Sequence, residues 1–244
     1  MKILAIDIGG TNVKVLATGQ PEVRHIPSGK EMTPGKMVDQ VKEETKDWRY
    51  DVIAIGYPGP VAQGKLLLEP RNLGPGWVDY DFPAGFGCKV KIINDAAMQA
   101  LGSYQGGKML FVGLGTGFGA TVIMDGVIEP LELGRFHYKK STLEHYVGAR
   151  GLKRLGRKKW QRHVEEVVEH LIAALKPDDV VLGGGNVKKL NQLPPGTRAG
   201  ANANAFLGGF RLWEGEADKS RAPTAGPDGG LRTKVRGPKA ERSH

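Results

Sequence analysis

Cysteine is almost missing from this chain: Cys88 is the only one in 244 residues. A disulfide framework and a thiolate metal cluster are thereby excluded. Long apolar runs are missing as well. No stretch approaches the roughly 20 residues of a membrane-spanning helix, and the opening Met1–Asp7 holds too short an apolar run for a signal peptide, so a cytoplasmic protein with no membrane partner is expected. Acidic residues are fewer than basic ones, 26 against 35, which leaves a net charge of +9. Between Arg150 and Arg162 there is no acid at all, only Arg150, Lys153, Arg154, Arg157, Lys158, Lys159 and Arg162 among the charged residues. Large apolar residues nearly vanish after residue 214. Such a stretch cannot offset the entropy of ordering, and a disordered basic tail is expected over 214–244.

What the chain does contain is two glycine-rich turns, each between apolar runs. The first, Asp7-Ile8-Gly9-Gly10-Thr11-Asn12-Val13-Lys14, follows Ile3–Ile6. Glycine permits a positive φ and lets backbone N–H groups approach a phosphate with no Cβ in the way. Thr11 supplies a donor and Lys14 a charge-assisted contact. Asp7 is placed to partner Mg²⁺ through water, since this hard cation is commonly held by one or two carboxylates together with substrate phosphates. Alone, this turn reads equally as an ordinary hairpin. The second, Gly113-Leu114-Gly115-Thr116-Gly117-Phe118-Gly119, decides between them, because two such hairpins predict two related domains gripping one polyphosphate chain. Gly183-Gly184-Gly185 follows the strand-like Val180–Leu182; it offers bare backbone to a flat ring, or is a plain strand-to-helix turn. Asn94-Asp95 ends another apolar run ahead of a helix-forming stretch. Asp95 there is either a helix cap or a general base for an alcohol.

The periodicities alternate. Strand-type runs are read at 2–6, 13–17, 52–56, 90–93, 109–112, 121–124 and 180–182, and helical patterns at 37–47, 96–104 and 160–175. This is a mixed α/β pattern. A hinge is expected near 95–107, where Gly102, Gly106 and Gly107 bracket a helix exit. It divides an N-terminal domain, 1–105, from a C-terminal domain, 106–213.

The landmarks in order are Asp7 to Lys14, Gly56-Tyr57-Pro58-Gly59-Pro60, Asn72-Leu73 with Gly76-Trp77, Asn94-Asp95-Ala96, Gly115-Thr116-Gly117, Glu132-Leu133-Gly134 and Gly183-Gly184-Gly185. In this order and spacing the chain resembles a sugar kinase of the ROK family, in the polyphosphate-glucokinase-like branch of the actin-like ATPase and hexokinase superfamily. The resemblance runs from residue 1 to about 213. It implies a two-domain actin-like ATPase (ribonuclease H-like) α/β fold with the active site in the interdomain cleft. It implies phosphoryl transfer from ATP or inorganic polyphosphate, with Mg²⁺, to a hexose hydroxyl, most simply the 6-hydroxyl of glucose. Asp95 is then the catalytic base. Asp7, Gly9, Gly10, Thr11, Lys14, Gly115, Thr116, Gly117, Gly183, Gly184 and Gly185 hold phosphates and nucleotide. Asn72, Asn94, Asp95, Glu132 and Arg135 hold the sugar. Trp77 is read as core rather than as a stacking platform.

Two departures from the family pattern stand out. The one-His, several-Cys zinc site that many members carry after Glu-x-Gly has no cysteines here, so no structural zinc is expected. The family's Glu-x-Gly-His reads Glu132-Leu133-Gly134-Arg135, which predicts an altered sugar preference toward acidic or phosphorylated sugars, or else a simple Arg135–Glu132 ion pair. The basic run reads either as a solvated helix face, with Arg150, Arg154, Arg157 and Lys158 on one side, or as a track for polyphosphate. Nucleic acid ranks low as a partner, because no helix-turn-helix fits ahead of Asp7; a homodimer stays open. A catalytically weak sugar- or phosphate-binding protein, acting in sensing or interaction, is the alternative to the kinase.

Overall fold

A computed structural model describes residues 1–201 and 203–214. In chain order its elements are β1 (Ile3–Ile8), β2 (Asn12–Ala17), β3 (Arg24–Pro27), α1 (Pro34–Glu44), β4 (Val52–Tyr57), β5 (Val61–Ala62), β6 (Lys65–Leu66), α2 (Phe82–Phe86), β7 (Lys89–Asn94) and α3 (Asp95–Ser103). There follow β8 (Lys108–Leu114), β9 (Phe118–Met124), β10 (Val127–Leu131), β11 (His137–Tyr138), β12 (Ser141–Thr142), α4 (Leu143–Val147), α5 (Ala149–Leu175), β13 (Asp179–Gly183), β14 (Arg198–Ala199) and α6 (Asn204–Arg211). Apart from Glu214, the tail expected over 214–244 lies outside the described residues.

Two five-stranded sheets carry the fold, and their topologies repeat. The first runs β3-β2-β1-β4-β7 and the second β10-β9-β8-β13-β14. In each, an antiparallel meander of three strands continues into parallel strands on the far side of the first. Burial follows from this order. β1 lies mid-sheet and all six of its residues are buried, whereas β2 alternates, with Val13, Val15 and Ala17 inward. That period of two is what a strand with one core face requires. A helix covers a sheet face only where its start is satisfied: α1 opens with Thr33 accepting the Lys36 N–H and with Pro34 in its first turn, the arrangement that tolerates a missing N–H.

The core is layered accordingly. One apolar cluster joins the first sheet to α1 and α2, with Trp77 fully buried in it; a second joins the second sheet to α4 and α5. Between the sheets stand α3 and α6. Ala100 of α3 packs with Met109, Phe111 and Val181 of the second sheet. After the second sheet the chain returns, and Trp213 joins Ile3, Val52 and Ala54 of the first. The Trp213 indole donates to the Ile53 carbonyl at 3.2 Å, and Arg211 donates to the Leu101 and Tyr104 carbonyls at the end of α3. By contact, residues 204–213 therefore belong with the first sheet.

One expected surface is not formed. Gly156, with φ 74° and ψ 160°, breaks α5 into two helices, so Arg150, Arg154, Arg157 and Lys158 do not share a continuous helical face. Two of these cations are also engaged locally: Arg154 donates to the His145 carbonyl at 3.1 Å, and Arg157 to the Lys189 and Leu190 carbonyls. No described helix is long and apolar enough to cross a membrane.

Candidate active site

Parallel pairing aligns the strand ends. Asp7 sits beside Gly56 in register, and Gly56 beside Ile93, so β1, β4 and β7 finish together. Crevices at such carboxyl ends are the usual place for ligands in α/β sheets. Asp95 follows β7 directly. Its Oδ1 accepts the Ala96 N–H at 2.8 Å, but the cap of α3 is Asn94, whose Oδ1 accepts the Ala97 N–H at 3.1 Å and whose Nδ2 donates to the Gly59 carbonyl. The capping task thus falls one residue earlier than the alternative reading of Asp95 put it. Burial first, and the negative charge of Asp7 second, push the Asp95 carboxyl up to about 7. Both causes disfavour the ionised form, burial by removing water and Asp7 by repulsion.

Both glycine turns are tight hairpins, and they use glycine for space. None of Gly9, Gly10, Gly115 and Gly117 has a positive φ. A Cβ on Gly9 would stand 2.7 Å from the Asn12 carbonyl oxygen, and one on Gly10 would stand 3.0 Å from the Asn72 Cβ. Asn72 is thereby brought against the first turn. Gly10 and Thr11 are exposed. Ser28, absent from the sequence reading, fastens the turn by donating to the Gly9 carbonyl at 2.6 Å. Lys14 is not in the turn but on β2, opposite Asp7, with its ammonium 3.1 Å from Asp7 Oδ2.

The second turn is shorter than its seven-residue motif. Gly113 pairs with Gly119 and Leu114 with Phe118, leaving Gly115-Thr116-Gly117 as the loop. Its crest is open: a Cβ on Gly115 would meet nothing within 4 Å, and Thr116 is exposed. Asn186 holds it from behind, its Nδ2 donating to the Gly115 carbonyl at 2.7 Å and its N–H to the Leu114 carbonyl. Gly184, at φ +86°, crosses so close that a Cβ would stand 2.5 Å from the Leu114 oxygen. Gly185 beside it faces open space. Near the base of the hairpin, a Cβ on Gly119 would stand 3.0 Å from the Ala96 Cβ, so the residue after Asp95 lies against the strand that leaves this turn.

The sequence reading missed Glu144. Its Oε2 lies 3.3 Å from where a Cβ on either Gly117 or Gly134 would sit, and its Oε1 is 3.6 Å from Arg71, the neighbour of Asn72. One carboxylate therefore touches the second turn and reaches the segment beside the first. Arg71, Arg135, Arg150, Ser141, Thr142 and Glu144 line a cavity of about 300 Å³. Glu132 does not line it. That residue is exposed at the end of β10 and makes no ion pair with Arg135 among the described residues. No motif announces Glu144, because its partners come from Gly117, Gly134 and Arg71, each distant in sequence.

The family model of the ROK family matches residues 3–130, more than half of the chain. The chain belongs to the ROK family. No curated protein matches it. Among solved structures it is similar to the inorganic polyphosphate/ATP-glucomannokinase from Arthrobacter sp. strain KM, with 23% identity and a TM-score of 0.71 over 85% of this chain and 96% of that one. It is similar to a ROK family glucokinase from Streptomyces griseus in complex with glucose and AMPPNP, at 14% identity and TM-score 0.69 over 87% and 99%. A ROK family transcriptional regulator, a homologue of the E. coli MLC protein, is also similar, at 15% identity and TM-score 0.70 over 86% and 77%. At these identities the likeness establishes the fold, the two-domain actin-like ATPase architecture, which kinases and a regulator share.

Proposed function

We propose that this ROK protein transfers a phosphoryl group from ATP or inorganic polyphosphate to a hexose hydroxyl, most simply giving glucose 6-phosphate. The observation that carries this reading is Asp95: a carboxyl at a strand end, pushed up to about 7 by burial and by the charge of Asp7, and followed by Ala96, which lies against Gly119 of the strand that leaves the second glycine turn. A base is most effective when its pKa lies near the working pH. Asp95 would accept the hydroxyl proton as the sugar oxygen attacks. The open crests at Gly10-Thr11 and Gly115-Thr116 would hold the donor's phosphates by backbone N–H groups and hydroxyls, and bare Gly185 would let an adenine ring lie against backbone. Asn72, beside Gly10, would orient the sugar.

Asp7 suits Mg²⁺: it is a hard carboxylate next to a second one, and the repulsion that raises Asp95 is what a divalent cation relieves. When bound, Mg²⁺ would neutralise charge on the donor phosphates. Lys14, now on Asp7, would turn toward those phosphates. The named activities of the Arthrobacter and Streptomyces proteins support a hexose acceptor and both donors. Closure of residues 1–105 with 204–213 against 106–203 would exclude water from the donor, and such donors fit a cytoplasmic reaction.

The Lys14–Asp7 pair favours a second reading, a sugar- or phosphate-binding protein with little turnover, because Asp7 is already neutralised from within. A coupled assay with a hexose panel, Mg²⁺ and ATP or polyphosphate separates the two. Turnover is expected that falls about 10²-fold or more in Asp95→Asn, the scale of lost general-base catalysis. Turnover of similar size in both proteins would reject Asp95 as the base, and sugar binding without turnover would select the second reading.

A further inference from the structure

The cavity beside Glu144 carries more positive charge than a neutral sugar requires. Arg71 is partly balanced by Glu144 at 3.6 Å. Arg135 and Arg150 make no hydrogen bond or ion pair among the described residues, although both line the cavity. His145 lines it too, and its Nδ1 is buried with no hydrogen-bond partner among the described residues. Three guanidinium groups around one concavity, two of them unspent, focus a positive field on whatever enters. Each presents a planar fork that matches the two oxygens of a carboxylate or phosphate.

We infer that this cavity takes an acidic sugar, with its carboxylate or phosphate on Arg135 and Arg150 and its hydroxyls on Glu144, Ser141 and Thr142. Glu144 decides between this ligand and a polyphosphate. An ionised carboxylate only accepts hydrogen bonds, and it stands in the same cavity as the arginines, so the ligand must bring donors as well as negative charge. A sugar acid has both. Polyphosphate at neutral pH has few donors to offer and would meet Glu144 as a like charge. Size agrees: about 300 Å³ is at the small end of ligand cavities, enough for one hexose and its acidic group. The inference rests on the proposed phosphotransfer only for what happens to the bound sugar, not for its binding.

Calorimetric titration of the whole chain tests it, with glucose, glucuronate, glucose 1-phosphate, glucose 6-phosphate and tripolyphosphate as probes. At least one acidic sugar should bind about tenfold or more tightly than glucose, a preference that shrinks with added salt. The carboxylate and phosphate arms identify which acid the arginines select. Arg135→Gln with Arg150→Gln should erase the preference, with an unchanged thermal midpoint as the control for folding. Arg135→Lys with Arg150→Lys should restore part of it. Equal affinity for glucose and every acidic sugar, or a preference that survives the double glutamine variant, would overturn the inference. So would tripolyphosphate binding more tightly than the acidic sugars through the same arginines. A separate turnover assay with ATP and with polyphosphate keeps the two readings apart, since failure with both donors would remove the kinase and leave the sugar preference standing.

Discussion

At the scale of single residues, the pair Asn94 and Asp95 divides two tasks that the sequence presents together. Both ends of the Asn94 amide are engaged, with the Ala97 N–H and the Gly59 carbonyl, so its first duty is to start α3 and tie it to the turn after β4. Loss of such a cap typically costs ~0.5–2 kcal/mol, worth a few degrees of thermal midpoint in a chain of this size. Asn94→Ala should therefore lower the midpoint, whereas Asn94→Ser, which retains an acceptor at the cap, should recover most of it. A sugar dissociation constant unchanged in the serine variant would mark Asn94 as structural; a tenfold loss at normal stability would mark the amide as a sugar ligand. The motif at 94–95 was legible because an amide and a carboxylate at a strand end are uncommon company. Which of the two caps was not, since that depends on the extended backbone of Asn94, φ −61° and ψ 144°. Lys14 fails in the same way: its residue type fits a phosphate contact, but only strand register puts it across from Asp7.

At the scale of elements, the contact between α3 and α6 brings backbone directly against backbone. A Cβ on Gly102 would fall inside the Asn204 carbonyl group, and one on Gly208 inside the Met98 carbonyl group; one on Gly209 would stand 2.7 Å from the Ala5 Cβ. Neither obstacle at Gly102 and Gly208 is a flexible side-chain end, so the helices would have to separate. Overpacking of this kind typically costs ~1–3 kcal/mol and sometimes more. Gly208→Ala is expected at or above the upper end, despite the helix propensity that alanine adds, and chemical denaturation would measure it. A stability equal to or above that of the parent chain would show that the helices can part at no cost. The same glycines explain why α6 was not read from the sequence. Two adjacent glycines weaken a helix by about 1 kcal/mol each relative to alanine, and the contact that offsets this lies a hundred residues away in the chain. Conversely, the strands around both glycine turns were legible, because buried mid-sheet strands are apolar runs in any context. Gly156 shows the limit of periodicity: the pattern of α5 is helical on both sides, and the break depends on a backbone conformation open essentially to glycine alone.

At the scale of the whole molecule, two sheets of one topology confront each other, and acid acts with opposite sign on two groups, His163 and Asp95. His163 lies in the second half, its Nδ1 3.0 Å from the Tyr138 hydroxyl and its ring against Tyr146. Burial first and the Lys139 charge second lower its pKa below the ordinary 6.5, while Glu166 opposes them and Arg154 adds to them. The unfolded chain then takes up this proton first as pH falls, so stability is full above about 6.5 and is lost as acid is added below it. Asp95, facing Asp7 between the halves, behaves in reverse. Its folded pKa, about 7, exceeds the ordinary 3.8, so the folded state takes up this proton first and gains stability as pH falls through 7 toward 4. The two slopes oppose each other once pH falls below about 6.5, and each variant should expose the one that remains. In metal-free buffer, Asp95→Asn should become steadily less stable than its own pH 7.5 value on acidification, and His163→Gln should become more stable, with the parent chain between them. Urea unfolding at three pH values gives the comparison directly. Parallel profiles for all three proteins would mean that neither group is held away from its ordinary pKa, and would withdraw from Asp95 the neutral-range basicity on which its proposed catalytic role depends.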